Sequence, residues 1–92
     1  MKATATVQTK KAQRYMKALV NHFGSKTNAA YEADSGYVEF GFGRCDIEAK
    51  SETLSFHLKS SRNEELDKLK WIVDKHLTRF SQNEIDPLTW QS

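Results

Sequence analysis

Three groups of side chains in this 92-residue chain have types and spacings that could do chemistry. Cys45 is the single thiol, and with His57 downstream it suggests a nucleophile and its base. Glu32, Glu39 and Glu48, with Asp34, Asp46 and His57, offer the oxygen and imidazole donors that hold metal ions. Gly41-Phe42-Gly43-Arg44 has the glycine content of a phosphate-binding loop. No helix N-terminus follows it and no lysine-serine pair completes it, so the loop reads as a turn with Gly43 in it and Gly41 relieving crowding or marking a bulge. A binding role rests on other residues. Lys10, Lys11, Arg14 and Lys17 crowd one short stretch, and Trp71 stands between Lys68 and Lys75 at helical spacing, where a local cation–π contact competes with a partner contact.

The elements that position these groups follow from periodicity. From Tyr37 to Leu58 apolar and polar residues alternate, the pattern of strands with one buried face. Ser35-Gly36, Gly43-Arg44 and Ser51-Glu52 serve as three two-residue turns. They pair Ala33 with Val38, Tyr31 with Phe40 and Ala29 with Phe42; Phe42 with Cys45, Phe40 with Ile47 and Val38 with Ala49; then Ala49 with Leu54, Ile47 with Phe56 and Cys45 with Leu58. Every pair sets apolar against apolar, which predicts a four-stranded meander. Cys45 then faces inward as a small buried hydrophobe, while His57 points outward across from Asp46, so the thiol and the imidazole do not meet. On the outer face the same register lines up Glu32, Glu39 and Glu48 in one row. That row reads first as a solvated acidic face, second as a cation site with Asp46 and His57, and third as a surface for the basic residues of a partner.

Flanking elements complete the fold. Ala3-Thr4-Ala5-Thr6-Val7 predicts a first strand. Ala12, Tyr15, Met16, Leu19, Val20 and Phe23 make the apolar stripe of a helix over 10–23, with Thr9 as N-cap and Gly24 just past its end. Lys10 and Lys11 would then oppose the helix dipole. Ser61-Arg62-Asn63-Glu64 reads as a capping box for a second helix whose stripe is Leu66, Leu69, Val73, Leu77 and Phe80. His22 and His76 flank the two stripes, and Trp71 falls on the exposed side. After Asp86-Pro87, Leu88-Thr89-Trp90 predicts a last edge strand. The expectation is one α+β domain over 1–92, a two-layer sandwich of order β-α-β-β-β-β-α-β with both helices on one face of an antiparallel sheet.

Composition narrows the function classes. A hydrophobic content of 38% and a charged content of 28% fit a globular chain, and no apolar run nears the ~18 residues of a membrane span. The lone cysteine and the absence of an apolar leader at the N-terminus point to the cytoplasm. Residues 1–28 carry +6, while eight basic and twelve acidic residues leave the rest at −4. That bias is too small to imply nucleic acid, and an acidic sheet face opposes it.

Phe40-Gly41-Phe42-Gly43-Arg44-Cys45-Asp46-Ile47-Glu48-Ala49, with Arg14-Tyr15-Met16-Lys17 and His22-Phe23 before it and His76-Leu77-Thr78-Arg79-Phe80 and Leu88-Thr89-Trp90-Gln91 after it, resembles the bacterial family called domain of unknown function twenty-two eighteen. The resemblance spans nearly the whole chain and carries no established activity. It implies a link to iron handling, because the family's domain is sometimes attached to siderophore-interacting, flavin-dependent ferric reductases, and it puts weight on Arg44, Cys45 and His76. The leading expectation is a non-enzymatic accessory or binding module with no cofactor. The alternatives are a metal-dependent or thiol enzyme and a homodimer that sets Lys10, Lys11, Arg14 and Lys17 on the acidic face of a second copy.

Overall fold

A computed structural model describes residues 1–82, 84–85 and 88–91. The elements in order are β1 (Lys2–Gln8), α1 (Ala12–Gly24), β2 (Asn28–Glu32), β3 (Ser35–Glu39), β4 (Gly43–Ala49), β5 (Thr53–Ser60) and α2 (Asn63–Phe80). The strands form one antiparallel sheet in the order β1-β5-β4-β3-β2, so the first strand closes the meander beside the last. Alternation drives the layering: Ala3, Ala5, Cys45, Ile47, Ala49, Leu54, Phe56 and Leu58 are buried on one face. The stripes of the two helices, Ala12, Tyr15, Met16, Leu19 and Val20 on α1 and Leu66, Leu69, Val73 and Leu77 on α2, are buried in the same core. No described helix is long and apolar enough to cross a membrane.

Parity survives where register does not. The β4–β5 hairpin pairs Ala49 with Leu54, Ile47 with Phe56 and Cys45 with Leu58, as alternation requires. The two earlier hairpins differ from expectation: Ala29 pairs with Val38 and Tyr31 with Gly36, and Val38 pairs with Cys45. Each partner is displaced by an even number of residues, so every side chain keeps its face. The cause is turn chemistry. Positive φ falls on Ala33 (54°) and Gly41 (86°), each the first central residue of a two-residue loop, the place a type II′ turn demands it. Phe40 N–H donates to the Gly43 carbonyl (2.8 Å) and closes the second loop, so Gly43 lies in the strand and not in the turn.

The predicted helix ends are corrected as well. Thr9 Oγ1 accepts the Lys11 N–H (3.1 Å) in a local turn, so α1 starts at Ala12, with Lys11 at its N-cap and Lys10 before it. The Ser61 hydroxyl bonds the Glu65 carboxylate (3.3 Å), so no capping box forms; Arg62 occupies the N-cap in extended conformation. Gly24 is the last residue of α1, and Ser25 after it stays in right-handed helical conformation, so no left-handed cap ends the helix.

The predicted final strand reduces to one antiparallel bridge. Thr4 N–H donates to the Gln91 carbonyl (2.7 Å) and Gln91 N–H to the Thr4 carbonyl (2.8 Å), on the free side of β1. Leu88, Thr89 and Trp90 lie outside any strand, held instead by Asp74: its Oδ1 accepts the Leu88 N–H (2.8 Å) and its Oδ2 the Trp90 Nε1–H (3.0 Å). Asp86 and Pro87, read above as the entry to that strand, lie outside the described residues.

Candidate functional site

The residues singled out for chemistry separate into three environments. Cys45 is 2% exposed, and burial pushes its thiol pKa far above the ordinary value. His57 pairs with Asp46 on the opposite face, so the two do not form a dyad. A thiol reagent is therefore expected to label native Cys45 only as fast as the protein opens, with rapid labelling in denaturant as the control; fast stoichiometric labelling of the native protein would contradict this placement.

The outer sheet face is mixed in charge where the sequence suggested an acidic row. The shifted registers set Glu39 beside Arg44, and Glu32 beside Ser35, with Glu48 on the far side of Ser35. Arg44 Nε donates to Asp46 Oδ1 (3.0 Å), its Nη1 lies 3.7 Å from Glu39, and its guanidinium stands 4.5 Å from the Tyr37 ring centre. His57 Nε2 is 3.5 Å from Glu48. Lys2 and Lys59 continue the Arg44 row. Among the described residues, no three His, Cys, Asp or Glu side chains are grouped to hold a metal ion, so Glu32, Glu39, Glu48, Asp46 and His57 do not converge. Glu32, Glu39, Asp46 and Glu48 thus share the outer face with Lys2, Arg44 and Lys59, and Arg44 interrupts the row of acids.

Of the basic residues, Lys11 pairs with Glu84 (3.0 Å), which also accepts the Tyr15 hydroxyl (3.1 Å). These bonds, that from Lys11 foremost, hold the Glu84 carboxyl below its ordinary range. Lys17 reaches over the Tyr31 ring (5.8 Å), while Lys10 and Arg14 are exposed. Trp71 is 61% exposed, as its helical position predicts, and Lys75 rather than Lys68 covers its ring (4.6 Å); Lys68 lies over Phe42 (4.7 Å).

Two features escape a reading by periodicity. The first is the free edge of the sheet. β2 pairs with β3 on one side, and among the described residues no strand pairs with its other side. A hollow of about 590 Å³ opens on the outer face at this end of the sheet, across β2, β3 and β4, lined by Ala30, Tyr31, Ser35, Tyr37, Arg44 and Asp46 among others. The second is a cluster between the helices, where His22 and His76 lie 4.8 Å apart between ring centres, with Phe23, Phe40 and Phe80 around them. Flanking positions on two separate stripes announced each histidine but not their meeting.

Desolvation first, then the neighbouring His76, Lys26 and Arg79, lower the pKa of His22, and every charged group among these causes is basic. A base whose pKa falls on folding binds its proton more readily when unfolded. Its contribution is intact above the ordinary histidine value of about 6.5 and is lost as pH falls through that value toward the lower native one. Melting temperature is thus expected to drop between pH 7.5 and 5, and His22→Gln to flatten that part of the profile; an unchanged slope would contradict the assignment.

A family model described as "Uncharacterized protein conserved in bacteria (DUF2218)" matches residues 4–91. The chain belongs to this family. Among solved structures, the NMR structure of PA4090 from Pseudomonas aeruginosa is similar at 27% identity with a TM-score of 0.82, covering 98% of this chain and 94% of that one. No curated protein matches. Within this DUF2218 chain, Arg44, Cys45 and His76, the residues the resemblance stressed, occupy the outer face, the core and the inter-helix cluster, and they form no common site.

Proposed function

We propose that this protein is a non-enzymatic binding module that takes an extended segment of a partner protein along the open edge of β2. The carrying observation is that edge itself. Its residues, Asn28-Ala29-Ala30-Tyr31-Glu32, include no proline, lysine or bulge of the kind that usually blunts an exposed strand. Main-chain groups on its outward side have no partner among the described residues, and an added strand would satisfy them. At the other edge the chain's own Gln91 already bonds to β1. The hollow over Ala30, Tyr37 and Arg44 opens on the outer face from β2 to β4, where long side chains from that face of the added strand could lie. Burial of the sole thiol supports binding over thiol chemistry.

The link of this binding to iron or siderophore handling, and a cytoplasmic location, belong to the same proposal; the first is carried by the family resemblance and the second by the lone cysteine. Peptides selected from a displayed random library are the test. Supporting peptides shift β2 amides in NMR spectra, raise the hydrogen-exchange protection of β2, and bind at least tenfold more weakly to Ala30→Lys. Peptides that bind elsewhere and leave β2 unshifted would overturn the proposal. So would light scattering that shows β2 already consumed in a dimer that Ala30→Lys dissolves, which would favour a second copy as occupant.

A further inference from the structure

The inter-helix cluster has a chemistry that packing alone does not require. His76 Nδ1 lies 2.7 Å from the carbonyl oxygen of Ile72 one turn earlier. A carbonyl only accepts, so Nδ1 carries the hydrogen, which in a neutral imidazole leaves the lone pair on Nε2. Donation of one ring N–H to a backbone carbonyl is how ligand imidazoles are usually oriented and made more basic. His22 sits at the end of α1, its ring tilted 45° to that of His76 at 4.8 Å between centres. Among the described residues no side chain or backbone group hydrogen-bonds to either ring nitrogen of His22 or to Nε2 of His76. The Phe23 and Phe80 rings neighbour both imidazoles, with ring centres 4.8 to 6.2 Å away.

We infer that His22 and His76 form a two-imidazole site for a borderline divalent transition-metal ion such as zinc, with water completing the coordination. Two Zn–N bonds of about 2.0–2.1 Å bridge rings at this separation after a turn of the exposed His22 side chain. The neighbouring charges set the selectivity. Lys26 and Arg79 repel cations, so ions bound mainly by charge through oxygen donors, calcium and magnesium, gain nothing here. An ion that bonds imidazole nitrogen offsets that repulsion. This site is separate from the β2 edge and stands or falls independently of it.

The experiment is a titration of the full chain with zinc chloride at pH 7.5, read by calorimetry and by the histidine ring signals in NMR spectra. One saturable equivalent is expected, with shifts at His22 and His76. His22→Ala, at an exposed position whose loss leaves the core intact, should weaken binding about tenfold or more. His57→Ala should leave it unchanged, magnesium should give no heat, and acidification to pH 5.5 should release the zinc as protons compete for the rings. Absence of saturable uptake by the wild-type chain, uptake unchanged in His22→Ala, or loss of uptake in His57→Ala would each overturn the inference.

Discussion

Replacing Gly43 with alanine is expected to destabilise the protein by about 1–3 kcal/mol, the range for forcing an extra carbon into a packed core. A Cβ built there would come within 2.5 Å of Leu69 Cδ1 and 2.9 Å of the Lys59 carbonyl oxygen. Real side chains do not approach that closely, so the buried Leu69 side chain must repack and the β4–β5 ladder must shift around the Lys59 carbonyl. The backbone conformation plays no part, since positive φ among the glycines is confined to Gly41. Gly41→Ala is the informative contrast: it meets nothing within 4 Å and carries only backbone strain, about 1 kcal/mol or somewhat more. Urea unfolding of both variants checks the order, and Leu69→Val in the Gly43→Ala background should recover part of the loss because the two sites are coupled. Equal midpoints for the two glycine variants would refute this account of Gly43.

Asp74→Ala carries the second large effect, about 2 kcal/mol or more. The carboxylate accepts from the Leu88 amide and from the Trp90 indole, and hydrogen bonds to a charged acceptor contribute about 1.5–3 kcal/mol each when both partners are sheltered. Loss of both should free the segment from Leu88 to Gln91, shift Trp90 fluorescence to the red, and speed hydrogen exchange at Thr4, whose N–H is bonded to Gln91. Trp71, already exposed, supplies a constant background. Asp74→Asn keeps one acceptor and should lie between. A variant that loses stability but keeps Thr4 protected would show that Asp74 acts within α2 and not on the C-terminal segment.

The layers were legible in the sequence because burial follows parity and helical stripe, and both are properties of residue type. Cys45 inward, His57 outward, Trp71 exposed and Leu66, Leu69, Val73 and Leu77 buried all follow from that. Strand register is different in kind: sliding a strand by two residues preserves every face, so only the turns decide, and Ala33 is not a residue type that announces positive φ. The same slip undid the acidic row, because Glu39 meets Arg44 only in the true register. Caps failed for a related reason. Thr9 and Ser61 have hydroxyls that serve equally well in local turns, and nothing in four residues of sequence tells which bond forms. The histidine cluster depends on how α1 and α2 pack against each other, which no periodicity reports.

The placement of β1 at the β5 end of the sheet also dictates an order of events during synthesis. β1 and α1 emerge early, yet β1 has no partner until Thr53–Ser60 leaves the ribosome. The meander can assemble from neighbours in sequence, but docking of the first strand closes a loop that encloses most of the core, a contact of long sequence separation and hence a slow one. Until then the Ala-Thr alternation of β1 and the apolar stripe of α1 stay exposed, and this domain is at its most aggregation-prone before β5 is made.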